Sequence, residues 1–363
     1  MTIGILGCGQ LGRMLALAGR PLELDCVFLC PDEVSCAAAA GERILADYTD
    51  ASALQNFARK IDVATYEFEN VPVGALETIA QDVPVRPKIE ALSTGQNRLA
   101  EKRLFESLGI PVPRYTKVDS VEDLAAAVEE ISLPAVLKKR REGYDGKGQA
   151  VLHSPKDIDR AWEQVGRQPA ILEAFVEFER EVSIIGVRGL DGSTLFYPLS
   201  ENVHHQGILR VASSLVDDPM QAQAEAYLDR LLSRLDYVGV LALELLQANG
   251  RLLANEFAPR VHNSGHWTIE GAQTSQFENH LRAVAGLPLG STRAVEHAAM
   301  VNFIGGMPLL AEVLEIPGAH MHDYGKSPRP GRKVGHATVR AASRREVEAR
   351  VARLCALADA AGA

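Results

Sequence analysis

The chain has 363 residues, 47% of them hydrophobic and 23% charged, which is enough for two or three globular domains. Its formal net charge of −9 argues against nucleic-acid binding, which needs a basic face. No stretch approaches the roughly 20 apolar residues of a membrane span, and the first residues lack the basic region of a signal peptide, so we expect a cytoplasmic protein without a membrane partner.

The five cysteines do not have the paired spacing of a zinc site. Their number is odd, and a reducing cytosol keeps thiols free. We therefore expect no disulfide framework. The cysteines are Cys8, Cys26, Cys30, Cys36 and Cys355.

The segment 1–96 alternates short apolar runs with helical patterns, as in a doubly wound parallel sheet. It is therefore expected to be a Rossmann-like domain. The predicted strands are Ile3–Leu6, Cys26–Leu29 and Val63–Tyr66, and the predicted helices between them are Leu11–Leu17 and Ala51–Lys60.

The segment 97–290 has runs of strands that predict an α+β domain built largely from antiparallel sheet. The predicted helices are Arg98–Leu108, Val121–Ile131 and Gln221–Leu235, and the predicted strands are Ala135–Lys139, Ala170–Phe175, Glu181–Arg188, Thr194–Tyr197, Val240–Leu246 and Leu252–Phe257. The segment 291–363 is expected to be a small closing domain that ends in the helix Arg344–Ala358. The fold class is thus α/β followed by α+β.

Gly7, Gly9 and Gly12 follow the first predicted strand and nearly match the glycine pattern of dinucleotide-binding proteins. A helix that begins in this turn would bind an anion at its amino terminus. The same glycines are equally expected in a tight strand-to-helix turn without a ligand. The acidic residue that should follow the second strand is approximated only by Asp32 or Glu33.

Cationic residues end the strand Ala135–Lys139, and Gly143, Gly146 and Gly148 follow. The backbone N–H groups of such a loop can wrap phosphates while lysines neutralise their charge. The loop lacks the Gly-Lys-Ser/Thr of a Walker A loop. The alternative is a solvated basic hairpin.

The residues Ala248-Asn249-Gly250 indicate a hairpin between two predicted strands. A three-residue loop at 249–251 places Glu244 directly opposite Glu256 on one face of the sheet. Facing carboxylates repel each other, so a cation is expected between them, and Mg²⁺ bound to phosphate oxygens is the natural candidate. The alternative is an exposed pair that faces water.

Polar side chains crowd the loop after the second of these strands, where they are suited to binding a small oxyanion beside a transferring phosphoryl group. A lone histidine is usually structural, but here several donors lie close together. They are Arg260, His262, Asn263 and His266.

Three more segments carry polar groups. Glu67 and Asn70 follow a strand of the first sheet, where such folds bind ligands, unless they only cap a helix. His204 is expected on a strand whose polar face meets either a nucleotide or water. Lys326 and Arg332 belong to a basic loop that is suited to a monophosphate or is simply solvated.

In this order the motifs resemble those of the N5-carboxyaminoimidazole ribonucleotide synthetase family, over essentially the whole chain. The most specific matches are Gly9–Met14, Gly143–Gln149, Ala258–His266 and Arg329–His336. The resemblance implies the ATP-grasp superfamily, ATP between two lobes of the central domain, and a homodimer. The implied domains are a Rossmann-like pre-ATP-grasp domain (1–96), an ATP-grasp domain (97–290) and a carboxy-terminal domain that completes the ribonucleotide site (291–363).

The resemblance also assigns residues to ligands. The implied ATP contacts are Arg98, Lys138, Gly143, Tyr144, Asp145, Gly146, Lys147, Gly148, Gln149, Glu173, Ala174, Phe175, Val176, Glu181, His204, Asn255 and Glu256. The implied ligands of Mg²⁺, which Mn²⁺ could replace, are Glu244 and Glu256. The implied ribonucleotide contacts are Gln10, Glu67, Asn70, Lys326 and Arg332.

The reaction implied by the family uses ATP, bicarbonate and 5-aminoimidazole ribonucleotide. Bicarbonate attacks the γ-phosphate to give carboxyphosphate, and the 5-amine then captures the activated carboxyl group or CO₂. Arg260 and His262 correspond to the residues that handle bicarbonate, and Asp145 and Lys147 lie near the amine. Glu142 departs from the family pattern, since a glycine is common there, and a carboxylate either slows closure of the loop over ATP or merely faces water.

Three alternatives remain. Another ATP-grasp enzyme, such as a formate-using glycinamide ribonucleotide transformylase or a biotin carboxylase, would share the fold and nucleotide site. An NAD-dependent oxidoreductase would use the first glycine turn but leaves the Glu244 and Glu256 pair unexplained. An inactive ATP-binding regulator is disfavoured because the expected metal and phosphate residues are all present.

Overall fold

The computed structural model describes residues 1–143 and 148–362, which form three β-sheets with helices packed against them. Within these ranges no helix is both long and apolar enough to cross a membrane. The strands are β1 (Thr2–Leu6), β2 (Asp25–Cys30), β3 (Glu42–Leu45), β4 (Val63–Tyr66), β5 (Tyr115–Val118), β6 (Ala135–Lys139), β7 (Gln149–Leu152), β8 (Ala170–Ala174), β9 (Arg180–Arg188), β10 (Thr194–Phe196), β11 (Leu199–His205), β12 (Ile208–Leu215), β13 (Gly239–Ala248), β14 (Arg251–Ala258), β15 (His297–Ile304), β16 (Ala319–Asp323) and β17 (Lys333–Ala341). The helices are α1 (Gln10–Gly19), α2 (Ala51–Ala58), α3 (Val73–Ile79), α4 (Ile89–Gly95), α5 (Arg98–Ser107), α6 (Val121–Ile131), α7 (Ile158–Gln164), α8 (Gln221–Arg234), α9 (Thr268–Gly271), α10 (Gln276–Ala285), α11 (Leu310–Leu314) and α12 (Arg344–Gly362).

The first sheet has the strand order β3-β2-β1-β4, and all its neighbours are parallel. Ile3 pairs with Cys26 on one side and Val63 on the other, so the buried run after the start of the chain is the centre of the sheet. The predicted parallel sheet is confirmed. Sequence reasoning missed β3, because this short edge strand carries charges and lacks a buried face.

The two other sheets are antiparallel, as predicted for the central segment. A small sheet has the order β5-β8-β6-β7, and a large one runs β14-β13-β9-β11-β12-β15-β17-β16, with β10 paired to β9. The predicted helix Val121–Ile131 and the predicted strand Ala135–Lys139 match α6 and β6 residue for residue. The predicted α/β and α+β fold class is confirmed.

The strands after residue 290 join the large sheet rather than form one of their own. β12 and β15 are hydrogen-bonded, and Val211, Ala212 and Ser213 pair with residues 299–301. The helix α12 packs on β15 and ends at Gly362, later than predicted. The division into three domains stays a prediction.

A buried histidine joins the first sheet to the large one. His280 on α10 shares a hydrogen bond with the Thr65 hydroxyl through Nε2 (2.9 Å), and its Nδ1 accepts the backbone N–H of Val240 (3.1 Å). Burial lowers the pKa of His280 to about 4, so the ring is neutral at physiological pH. The neutral ring therefore holds β4 and β13 at a fixed separation.

One disulfide joins Cys8 to Cys30, a single bond that the expectation of no disulfide framework did not foresee. Cys8 follows β1 and Cys30 ends β2, and these neighbouring strands bring their Cα atoms to 6.0 Å. The 22 positions that separate them in sequence gave no sign of this proximity. The thiols of Cys26, Cys36 and Cys355 are free.

Candidate active site

The hairpin β13–β14 brings Glu244 and Glu256 opposite each other, although not by the predicted loop. The turn contains two residues, Asn249 and Gly250, both with positive φ, and Ala248 pairs with Arg251. A β-bulge between Ala254 and Glu256 then shifts the register by one residue. The prediction of a three-residue loop is therefore wrong, while the pairing that it led to is confirmed.

Each of the two carboxylates has a basic partner. Glu244 lies 3.2 Å from Nε2 of His262, and Glu256 forms an ion pair with Arg98. Burial opposes ionisation of Glu256, but Arg98 and Lys138 hold its pKa below the ordinary value. Both carboxylates can thus serve as oxygen ligands.

Two facing carboxylates fit Mg²⁺, which is usually held by one or two carboxylates together with waters and substrate phosphates. The described residues contain no group of three or more Asp, Glu, His and Cys side chains that could hold a metal by themselves. The donor set of Glu244 and Glu256 therefore suits a metal that arrives with a nucleotide rather than a protein-only cage.

Lys138 near the end of β6 reaches from the small sheet to Asn255 on β14 of the large one. Its Nζ donates to Glu173 (2.8 Å) and to the side-chain oxygen of Asn255 (3.1 Å). Burial raises the pKa of a carboxyl group, yet Lys138 and Lys102 bring that of Glu173 down to about 2. The structure thus brings together five of the residues assigned to ATP, namely Arg98, Lys138, Glu173, Asn255 and Glu256.

The loop after β14 is held in place by a residue that sequence reasoning missed. The amide side chain of Gln276 accepts the N–H of His262 (2.9 Å) and donates to its carbonyl oxygen (2.6 Å). The imidazole Nδ1 lies 2.8 Å from the hydroxyl of Ser264, which leaves Nε2 directed at Glu244. His262 is therefore fixed beside the carboxylate of Glu244.

Arg260 occupies the other side of this loop. Its guanidinium donates to the carbonyl of Val261 (2.7 Å) and pairs with Glu69, and its Nε is buried without a hydrogen-bond partner among the described residues. A buried unpaired donor is costly, which suits a site for a small anion. His266, by contrast, is buried between the tilted rings of His336 and Phe277, which is the packing of a structural histidine.

The first glycine turn binds a carboxylate of its own chain. Both oxygens of the buried Glu67 side chain accept backbone N–H groups, one from Gly9 and one from Gly12. A Cβ at Gly9 would lie 2.8 Å from Glu67, so glycine makes room for that side chain. Glu67 thus fills the position where a dinucleotide would place its pyrophosphate, which removes the basis for the NAD-dependent alternative.

A cationic loop from the carboxy-terminal segment lies against the glycine turn. Lys326 contacts the side chain of Gln10, and its Nζ lies 5.9 Å from the ring centre of Tyr324. Burial lowers the pKa of Lys326, and the nearby Arg332 contributes to the shift. Asn70 lies exposed on the loop after Glu67 and Glu69. The predicted ribonucleotide residues Gln10, Glu67 and Lys326 are therefore close together.

The segment after β8 borders a cavity of about 590 Å³ between the small sheet and the β13–β14 turn. Phe175 and Val176 line it, and Phe175 is 43% exposed. Glu181 on β9 pairs with His204 on β11, and this carboxylate raises the pKa of the imidazole although burial acts to lower it. The roles of these residues as nucleotide hinge and ribose contact stay predictions.

Four predicted residues of the glycine-rich loop, Tyr144, Asp145, Gly146 and Lys147, lie outside the described residues. Of the others, Gly148 has a φ of +74° and Gln149 begins β7. Glu142 has a φ of +61°, in the left-handed region that favours glycine. The departure from the family pattern at this position therefore places a side chain where the backbone is suited to glycine.

Comparison with known proteins agrees with this geometry. Residues 1–96 match the ribonucleotide synthetase preATP-grasp domain, residues 103–277 the ATP-grasp domain, and residues 298–350 the phosphoribosylaminoimidazole carboxylase C-terminal domain. The chain is 54% identical over 360 residues to the N5-carboxyaminoimidazole ribonucleotide synthase of Pseudomonas aeruginosa, a match that covers 99% of this chain and 100% of that protein.

Two solved structures show the same likeness. The N5-carboxyaminoimidazole ribonucleotide synthetase of Thermus thermophilus is 51% identical with a TM-score of 0.94, and the match covers 98% of both chains. The synthase of Aspergillus clavatus, solved with ADP and 5-aminoimidazole ribonucleotide, is 31% identical with a TM-score of 0.90, over 99% of this chain and 98% of that one. The chain therefore belongs to the N5-carboxyaminoimidazole ribonucleotide synthase family of ATP-grasp ligases, enzymes that form a carbon–nitrogen bond.

Proposed function

We propose that this chain carboxylates the 5-amine of aminoimidazole ribonucleotide with ATP and bicarbonate, through carboxyphosphate, and releases ADP and phosphate in purine biosynthesis. The observation that carries the proposal is the facing pair Glu244 and Glu256 with His262 at 3.2 Å and the Arg260 loop beside it. In this proposal a metal-phosphate site lies next to a site for a small anion. The relatives named for this reaction, including the Aspergillus clavatus structure with ADP and the ribonucleotide, support it.

Glu244 and Glu256 would hold Mg²⁺, with Mn²⁺ as a substitute. The metal would bind the phosphate oxygens of ATP and offset the charge that develops during phosphoryl transfer. Arg98 and Lys138 would contact the phosphates, since both already reach the carboxylates around this position.

In the first half-reaction an oxygen of bicarbonate attacks the γ-phosphorus of ATP, and the bond from that phosphorus to the ADP oxygen breaks. Arg260 would bind the bicarbonate anion through its guanidinium. His262 would orient the attacking oxygen, because Gln276 holds its backbone and the hydroxyl of Ser264 fixes the direction of its ring.

In the second half-reaction the amine nitrogen attacks the carboxyl carbon, phosphate leaves, and the nitrogen loses a proton. Lys326 and Arg332 would bind the 5′-phosphate of the ribonucleotide, with Gln10 and Glu67 on the same side. Asp145 and Lys147, predicted near the amine, belong to the loop outside the described residues.

The decisive experiment measures ADP release from ATP and Mg²⁺, with and without bicarbonate and with and without aminoimidazole ribonucleotide. We expect strong stimulation by the ribonucleotide that depends on bicarbonate. Stimulation instead by glycinamide ribonucleotide and formate would transfer the assignment to the transformylase. ATP turnover that neither substrate changes would contradict the proposal.

We also propose that the enzyme works in the cytoplasm as a homodimer, as the family resemblance implies. Light scattering of the purified chain would give the mass of a dimer, about twice 39.3 kDa, and a mass of one chain would contradict it. Fractionation of the source cells would locate the activity.

A further inference from the structure

Glu101 and Lys102 are two ionisable residues to which the proposed reaction gives no role. They lie side by side in the first turns of α5, and their exposed fractions are 1% and 0%. A fully buried charge is costly unless its partners are well placed. The polar partners of these two buried side chains therefore indicate what they contribute to the fold.

Both side chains bind the outer backbone of β14, the edge strand of the large sheet. Lys102 Nζ donates to the carbonyl oxygens of Asn255 (2.9 Å) and Ala254 (3.3 Å), and the Glu101 carboxylate accepts the N–H of Phe257 (2.6 Å). These backbone groups lie at the β-bulge. An edge strand has no neighbouring strand to pair them, so α5 does so with side chains.

The bulge decides where Glu256 points. From the turn up to Leu245 and Ala254, paired residue numbers sum to 499, so an unbroken ladder would place Asn255 opposite Glu244. Glu256 would then face Leu243, on the other side of the sheet, because side chains alternate along a strand. With the bulge, Glu256 faces Glu244 instead. Glu244 and Glu256 therefore face each other only while β14 accommodates Asn255 as the extra residue of the bulge.

Lys102 also connects this bulge to the nucleotide hinge. Its Nζ lies 3.3 Å from Oε1 of Glu173, at the end of β8, and Glu173 binds Lys138 through its other oxygen. One ammonium group thus contacts both β14, which carries Glu256, and Glu173 at the start of the hinge. These two elements would contact opposite ends of ATP. Since Lys102 is fully buried, it acts on the nucleotide only through these partners.

We propose that Glu101 and Lys102 are positioning residues, which stabilise the bulge in β14 and so aim Glu256 at the metal while fixing the distance from the metal to the hinge. This inference rests on the proposed function, because it uses the assignment of Glu244 and Glu256 to Mg²⁺. It predicts that loss of the buried ammonium weakens metal binding even though Lys102 touches neither metal nor nucleotide.

The test measures Mn²⁺ binding to the full-length chain in the presence of ADP, by the electron paramagnetic resonance signal of free Mn²⁺. We expect Lys102→Met, which keeps the length of the side chain without its charge, to weaken Mn²⁺ binding by about ten- to a hundredfold. In turnover, the half-saturating Mg²⁺ concentration should rise in parallel, while the KM for the ribonucleotide changes by less than about twofold. Mn²⁺ binding equal to that of the wild type would overturn the inference.

Two further variants separate positioning from loss of stability. Leu228→Ala removes a buried side chain from the core under α8 and should lower the melting temperature without changing Mn²⁺ affinity. If it weakens Mn²⁺ binding as much as Lys102→Met does, the effect is one of stability and the inference fails. If Lys102→Met does not fold, Lys102→Arg decides, because the planar guanidinium retains the charge but cannot reproduce the three ammonium contacts. Its Mn²⁺ affinity should fall between those of the wild type and Glu256→Gln.

Glu256→Gln, measured alongside, distinguishes this inference from the proposed function. If Glu256→Gln leaves Mn²⁺ binding unchanged, the metal assignment fails and the proposed function with it. If Glu256→Gln weakens binding and folded Lys102→Met does not, only the positioning role is wrong.

Discussion

At the metal end of the candidate site, Glu244 and Glu256 lie on neighbouring strands of one hairpin, whereas at the phosphate end Lys326 contacts Gln10 across 316 positions of the sequence. The geometry of the metal end is fixed by a local ladder and its bulge. The geometry of the phosphate end depends on how the first and last segments of the chain pack together. Changes at the metal end should therefore affect the chemical step, and changes at the phosphate end should affect the capture of one substrate.

The largest effect is expected from Glu256→Gln. The variant retains the size of the side chain but loses one anionic metal ligand, so we expect kcat to fall by at least about a hundredfold. ADP release at saturating ATP, bicarbonate and ribonucleotide measures it. Glu129→Gln, on the exposed face of α6, is the matched control. Near-normal turnover at saturating Mg²⁺ would falsify the metal assignment.

At the phosphate end, Arg332→Ala should raise the KM for the ribonucleotide by about tenfold or more, since it removes one charge-assisted phosphate contact. The KM for ATP should remain almost unchanged. Initial rates with each substrate varied in turn provide both values, and Arg345→Ala on the exposed side of α12 is the control. Equal losses for both substrates would contradict the division into two ends.

His280 joins β4 of the first sheet to β13 of the large sheet, and it should make the stability of the chain depend on pH. The pKa of His280 is about 4 in the folded chain against an ordinary 6.5, so the unfolded chain binds more protons between these values, and stability falls as pH drops from about 6.5 to 4. Between pH 7 and pH 5 this one group should account for about 2 kcal/mol of the free energy of unfolding. Urea titrations at both pH values test this.

The comparison for that experiment is His280→Gln, which cannot titrate. Its free energy of unfolding should fall less between the two pH values than that of the wild type, although its stability at pH 7 is lower. Because His266 and His336 are buried too, the difference between the two proteins is the quantity that reports on His280. Parallel curves would contradict the prediction.

The smallest effect is expected at Glu142, beside the loop that should cover ATP. Glu142→Gly relieves a side chain at a φ of +61°, and we expect the melting temperature to rise by about 1–2 °C. Glu142→Ala retains a Cβ and should not show this gain. A calorimetric scan of both variants decides, and an equal rise in both would attribute the effect to the lost carboxylate instead.

The facing pair Glu244 and Glu256 could be predicted from the sequence because its pattern is local. The signal Asn249-Gly250 indicated a turn, and the predicted strands on either side of it were mostly apolar. The bulge at Asn255 could not be seen, because it depends on Glu101 and Lys102 from another element. The error in the predicted turn length offset the missed bulge, so the pairing was predicted correctly on an incorrect path.

Three other features could not be predicted from the sequence, because each depends on packing between distant segments. Charged residues on a helix are usually solvated, so nothing marked Lys102 as buried. Gln276, which clamps His262, stands at the start of α10 as an ordinary polar residue. The bond between Cys8 and Cys30 follows from strand adjacency rather than from spacing.

The shared ladder between β12 and β15 limits how this enzyme can be cut or recombined. Truncation after residue 290 would remove β15 to β17 and expose the backbone of β12 as a new, unprotected edge, which favours aggregation. A chimera with a relative would need a seam that preserves the pairing of Val211, Ala212 and Ser213 with residues 299–301. The segment 291–363 is therefore not an interchangeable module, and new ribonucleotide specificities are better sought by changing loops such as that of Lys326 and Arg332.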